Sequence, residues 1–220
     1  MTVLRLVIAD DHPLFRDALR VTIAQGYPKA EITEADSFDA LRARLEAAPD
    51  TDLVLLDLKM PGMHGLSGLL FMRAAFAAVP VAIISAEEQK TIVRRALEMG
   101  AVGYIPKSTG ADGIRAALRA LLSGGAWIPD GLSHADAGKD DETPLPARLA
   151  RLTPQQIRVL MMLSEGYQNK KIANMLGVSE ATAKAHVSAI LEKLEVENRT
   201  QAVILARRIA ALPDLGSSGS

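Results

Sequence analysis

Five short aliphatic runs punctuate the first 122 residues: Val3–Ala9, Glu31–Ala35, Leu53–Asp57, Val81–Ser85 and Val102–Ile105. Three of them are nearly unbroken in apolar character, as expected of parallel strands covered on both faces. Between the runs, apolar residues recur at helical spacing: Phe15, Leu19 and Ile23; Leu41 and Leu45; Ile92, Val93, Ala96 and Leu97. Ser37 fits an N-cap, and Gly100 fits a helix stop. Strand and helix alternating in this way predict a doubly wound α/β fold, a five-stranded parallel sheet with right-handed crossovers and sites at the strand carboxyl ends. Pro106 is awkward for a central strand but tolerable in the fifth, which such a sheet places at an edge.

From Ser123 to Ala150 the pattern lapses into Gly, Pro, Asp, Ser and His, which predicts a linker (123–150), flexible over "SHADAGKDDETP". Trp127 and Ile128 fit packing on the front module better than a functional role. From Arg151 the helical period returns and predicts a second, all-α domain over 151–212, with 213–220 a disordered, low-complexity tail. Charge follows the same division. Residues 1–122 carry 14 Lys/Arg against 15 Asp/Glu, residues 123–150 carry 2 against 5, and residues 151–220 carry 9 against 6. A neutral front and a basic rear joined by an acidic connector imply two modules with different partners. The absence of cysteine excludes disulfides and thiolate metal sites. No apolar run approaches the ~20 residues of a membrane span, and "MTVLRLVIADD" lacks the basic start of a signal peptide. The expected location is the cytoplasm.

Candidate chemistry gathers at the strand ends. The first run closes on Asp10 and Asp11, the third on Asp57, the fourth on Ser85, and the fifth is followed by Lys107. If strands one and three are neighbours, as in the flavodoxin-like order 2-1-3-4-5, three carboxylates meet at one rim. Such acids raise one another's pKa unless cations neutralise them. An all-oxygen set suits Mg²⁺ better than zinc, and His12, with neither cysteine nor a second close histidine, does not change that. Acids, hydroxyl and ammonium together make a phosphoryl-handling site in which one aspartate can be the nucleophile. Taken singly, each residue has a plainer reading: a helix cap for Asp10 and Asp11, a solvated strand end for Lys107, a half-buried edge residue for Tyr104.

In the order and spacing of "ADDHPLFR", "LLDLKMPGMHG", "ISA" and "GYIPK", residues 1–122 resemble the receiver domain of two-component response regulators. The resemblance implies that Asp57 accepts a phosphoryl group from a sensor histidine kinase. It implies that Asp11, Asp57 and the backbone carbonyl of Lys59 hold Mg²⁺, with Asp10 helping through water. Ser85 and Lys107 would bind the phosphoryl oxygens, and Ser85 with Tyr104 would form the switch pair. Ser85 stands where threonine is common and His64 is unusual in its loop; neither change removes a required group.

The rear module opens on Thr153, Pro154 and Gln156, a capping box with proline at the first helical position. "KKIANMLG" reads as a short helix stopped at Gly177, and Ser179 caps the next helix, with Glu180 on its N-terminal dipole. Helix, short turn and helix is the helix-turn-helix arrangement. In the second of these helices Ala183, Val187, Ile190, Leu191 and Leu194 should face the core. The opposite stripe, Ala181, Lys184, Ala185, Ser188 and Glu192, is small and uncluttered at its start, as a helix entering a major groove requires. Lys170 and Lys171 oppose a helix dipole by about 0.3–1 kcal/mol each, a penalty that a docked phosphate reverses. His186 flanks the core stripe and reads as structural.

Residues 151–208 resemble the LuxR-type helix-turn-helix through "LTP", "EGYQNKKIANMLGVSEATAKAHVSAILEKL" and "NRTQAV", and the two modules in this order resemble the NarL/FixJ family. The resemblance implies a transcription regulator rather than an enzyme. Lys184, Ala185 and Ser188 would face base edges of double-stranded DNA, with Asn169, Lys170, Lys171 and Thr182 near phosphates. The last helix would be the contact of a homodimer formed on phosphorylation. Gln155 and Gln156 replace the common Arg-Glu, Ser188 replaces a basic residue of some members, and the net charge of +3 is modest. Binding should therefore be salt-dependent and rely on dimerisation. Two other readings meet the same residues. A Mg²⁺-dependent phosphohydrolase needs an acid two residues after Asp57, where this chain has Lys59. A phosphate-independent DNA binder would use its front module only as a dimer scaffold.

Overall fold

The structure is a computed structural model and describes residues 3–63, 65–129 and 145–210. The expected flexible stretch 133–144, the tail 213–220 and His64 lie outside the described residues. Five strands, β1 (Arg5–Ala9), β2 (Glu31–Ala35), β3 (Leu53–Leu56), β4 (Val81–Ser85) and β5 (Gly103–Pro106), form one sheet in the order β2-β1-β3-β4-β5, every pair parallel. They alternate with α1 (Pro13–Gly26), α2 (Phe38–Ala47), α3 (Ser67–Ala75), α4 (Lys90–Glu98) and α5 (Ala111–Leu122). The helical domain holds α6 (Leu145–Leu149), α7 (Pro154–Ser164), α8 (Asn169–Leu176), α9 (Glu180–Leu194) and α10 (Arg199–Ala210). By spatial proximity the described residues divide into two units, 3–63 with 76–129, and 65–75 with 145–210, so α3 groups with the second. Leu69, Leu70, Phe71 and Met72 of α3 are all buried, as befits a helix apolar on every side.

β3 and β4 are buried at every position, which is why they need continuous aliphatic runs rather than alternation. One side of the sheet builds a core from Leu6, Ile8, Leu53, Leu55, Ala82, Ile84 and Ile105 against Leu19 and Ile23 of α1 and Ile114, Ala117 and Leu118 of α5. Ser37 caps α2 by accepting from the Ala40 N–H, as its position predicts.

Pro106 belongs to β5, one residue beyond the predicted end, and its lack of a donor does no harm. Donors along a strand point alternately to either side: Lys107 donates inward to the Ser85 carbonyl, Tyr104 outward to that of Trp127. Pro106, two residues after Tyr104, therefore faces outward, where the ladder requires nothing of it. Trp127 runs parallel beside Gly103 and screens the outer edge of the strand. A Cβ on Gly103 would stand 2.9 Å from the Trp127 carbonyl oxygen, so the close approach needs glycine.

In the second unit the predicted capping box is formed: Thr153 Oγ1 accepts from the Gln156 N–H and Gln156 Oε1 from the Thr153 N–H. Gly177 ends α8 at φ 65°, in the left-handed region, and Ser179 caps α9 through the Thr182 N–H. Four helices were expected from Arg151 onward and α7–α10 supply them. A fifth, α6, lies inside the stretch read as linker, with Leu149 buried and Arg148 donating to the Leu194 carbonyl.

Candidate functional site

Parallel pairing brings every carboxyl end to one edge. Ala9 lies beside Leu56 and Ser85 beside Pro106, and the backbone bonds run one step further, from the Asp57 N–H to the Ala9 carbonyl and from the Lys107 N–H to that of Ser85. The residues that follow the strands are thus held by the ladder itself. Asp10 and Asp57 are almost wholly buried and Asp11 is partly open. Lys107 Nζ bridges the two buried acids, 2.7 Å from Asp10 Oδ2 and 2.8 Å from Asp57 Oδ2.

The electrostatics follow from this packing. Burial pushes the Asp57 carboxyl above the usual carboxylate range, against the Lys107 hydrogen bond and charge and a Lys59 backbone N–H, while Asp10 adds to the rise. Burial acts to lower the Lys107 ammonium, yet its bonds to Asp10 and Asp57 outweigh that and leave it raised. Oxygens of Asp10, Asp11 and Asp57 and a ring nitrogen of His12 lie within 4.8 Å of one another. Three carboxylates, two of them buried, with one ammonium among them make a donor set that fits a hard divalent cation. His12 Nδ1 sits 2.7 Å from Asp11 Oδ1.

Ser85 and Tyr104 stand at the same edge. Both are buried, and Ser85 Oγ accepts from the Glu87 N–H. The Tyr104 hydroxyl donates to the Glu87 carbonyl at 2.6 Å, and burial raises its pKa. Lys59 turns its side chain outward to Glu87 Oε1, at 2.5 Å. Three further residues of the site were given no role from the sequence, although Phe15 and Arg16 lie within "ADDHPLFR". Glu87 ties Ser85, Tyr104 and Lys59 together; Arg16 donates to the Asp10 carbonyl and pairs with Glu34; Phe15 lies under the Lys107 ammonium. Their contacts are tertiary, so the direction in which each side chain or carbonyl turns was not visible along the chain.

On the helical domain Ala183, Val187, Ile190 and Leu194 of α9 are buried, whereas Leu191 and His186 are only partly so. Lys184, Ala185 and Ser188 are exposed on one face of the helix. Lys170, Lys171 and Thr182 are exposed as well. Thr182 Oγ1 lies 2.8 Å from Ser179 Oγ, and Lys171 Nζ rests 3.6 Å from the centre of the Tyr167 ring. Asn169 is half-buried because Arg199, at the start of α10, donates to its Oδ1 and also to the Tyr167 carbonyl. Arg199 is a further residue that the sequence pattern did not mark as part of this face.

Residues 6–119 match the response regulator receiver domain and residues 150–206 the bacterial regulatory proteins of the luxR family. Along nearly its full length the chain is 41% identical to the glycerol metabolism activator of Pseudomonas putida, covering 92% of this chain and 94% of that protein. It is 28% identical to the nitrate/nitrite response regulator protein NarL of Escherichia coli, over 90% and 93%. Among solved structures, the RcsB–DNA complex superposes with a TM-score of 0.55 at 24% identity, over 93% of this chain and 98% of that one, a likeness of fold. Among the described residues no helix is long and apolar enough to cross a membrane. With its doubly wound sheet, its acidic edge and its helix-turn-helix, the chain belongs to the NarL/FixJ family of two-component response regulators.

Proposed function

We propose that the protein is a cytoplasmic transcription regulator switched by phosphorylation of Asp57. The observation that carries this reading is the Lys107 ammonium bridging two buried carboxylates at the strand edge. A carboxylate oxygen of Asp57 attacks the phosphorus of a sensor kinase's phosphohistidine; the O–P bond forms as the N–P bond breaks, and the imidazole leaves. Asp10, Asp11, Asp57 and the Lys59 carbonyl are the residues that would hold Mg²⁺, which when bound supplies charge neutralisation for the phosphoryl oxygens. Lys107 supplies a fixed positive charge beside the nucleophile, and the Ser85 hydroxyl donates to a phosphoryl oxygen once it leaves the Glu87 N–H. Loss of that bond frees the segment whose carbonyl holds Tyr104, so that Ser85 and Tyr104 respond together.

The output is sequence-specific binding to double-stranded DNA by a homodimer. Lys184, Ala185 and Ser188 meet base edges, Asn169, Lys170, Lys171 and Thr182 meet phosphates, and α10, with Ile204 half-exposed, pairs the two copies. RcsB, which shares the fold, has been solved bound to DNA. Incubation with a small phosphodonor and Mg²⁺ should label wild type and leave Asp57→Ala unlabelled. Equal labelling of both would move the phosphoacceptor elsewhere.

A further inference from the structure

Lys107 has a third neighbour besides its two carboxylates. Its Nζ lies 4.8 Å from the centre of the Phe15 ring, within the distance at which a cation is drawn to the negative face of an aromatic ring. Phe15 sits near the start of α1 and is partly buried against the core that α1 shares with the sheet, so apolar neighbours anchor its ring. From the geometry we infer that Phe15 is a positioning residue for Lys107, holding the ammonium at the acidic edge and keeping it attracted while it changes partners. This rests on Asp57 being the phosphoacceptor.

The need for such a residue follows from the charges. An ammonium has three N–H groups; here one donates to Asp57 Oδ2, while Asp10 Oδ2 is held as an ion pair 2.7 Å away. When a phosphoryl group joins Asp57, one carboxylate oxygen becomes a bridging oxygen and the negative charge moves outward to the phosphoryl oxygens. Lys107 must then let go of Asp57 and lean after that charge. Hydrogen bonds to carboxylates are directional and are lost as it swings, whereas attraction to a ring face is broad and persists over a range of positions. The ring also keeps water from one side of the ammonium, and with less water its pull on the phosphoryl oxygens is stronger.

The test separates ring electrostatics from packing. Phe15→Leu keeps apolar volume but removes the ring, Phe15→Trp offers a stronger one, and phenylalanines carrying successive ring fluorines drain the negative face with little change of shape. Each protein is phosphorylated by acetyl phosphate with Mg²⁺, and without metal the ε-methylene protons of Lys107 are followed by NMR. Phe15→Leu should slow phosphorylation about two- to fivefold and abolish the upfield ring-current shift of Lys107. Phe15→Trp should match or exceed wild type, and the rate should fall stepwise with fluorine number at unchanged melting temperature. A normally labelled wild type with a flat fluorine series, or a Lys107 resonance without a ring-current shift, would overturn the inference alone. A wild type that takes no label would overturn the phosphoacceptor reading, and this inference with it.

Discussion

As the proposed phosphoacceptor Asp57 must be ionised, yet burial raises its pKa above the usual carboxylate range. An acid with a raised folded pKa binds its proton more tightly in the folded state. Stability therefore falls as pH climbs from the unfolded value through the folded one. In metal-free protein Asp57→Asn, which cannot ionise, should melt at the same temperature as wild type or below it at low pH, and a few degrees above it at pH 8. Lys107→Met, which removes the hydrogen bond and charge that lower the Asp57 pKa, should make that gap larger and carry it to a higher pH before it levels off. Thermal melts across pH 3 to 8 decide the matter; a gap that closes as pH rises would contradict the assignment. Asp10, Asp11, Asp57, Ser85 and Lys107 were legible along the chain because each directly follows or ends a strand, and parallel pairing puts such positions side by side. Phe15, Arg16 and Glu87 were not, because each reaches the site through a side chain or carbonyl whose direction depends on how helices and loops pack.

At the scale of elements, α7 shows how a motif visible in sequence acquires a second task. Gln156 closes the capping box, and its Oε1 also accepts from Lys193 Nζ of α9 at 2.8 Å, in a nearly buried position. Gln156→Ala strips both donors of their partner and should cost about 1–3 kcal/mol, seen as a lower urea midpoint at unchanged slope. Loss of a few tenths only would mean that water replaces the amide. The box, the Gly177 stop and the Ser179 cap could be foreseen because capping depends on residues three or four apart. α6 could not, because a five-residue helix is too short to show a period. Its place is set by Leu149 and Arg148 packing on α9.

For the whole molecule, the charge division along the chain agrees with the nucleic-acid surface proposed on the rear unit, where Lys170, Lys171 and Lys184 are all exposed. Each phosphate neutralised contributes a slope of about −0.9 to the dependence of log affinity on log salt. Lys170 and Lys171, the two cations proposed to meet phosphates, predict a slope of about −2 for one copy and about twice that for a pair. Lys170→Ala should lower the magnitude by about 1 per copy and weaken all sequences alike, whereas Lys184→Ala should also relax the sequence preference. Phosphorylation can change this binding only through a difference in affinity between two states of the protein. If it acts by pairing copies, the phosphorylated protein should show the steeper slope as well as the higher affinity. Titrations of a DNA fragment at several salt concentrations, with and without acetyl phosphate, measure both quantities at once. Higher affinity at an unchanged slope would mean that phosphorylation exposes a surface on a single copy, and identical curves would leave the receiver without control over DNA.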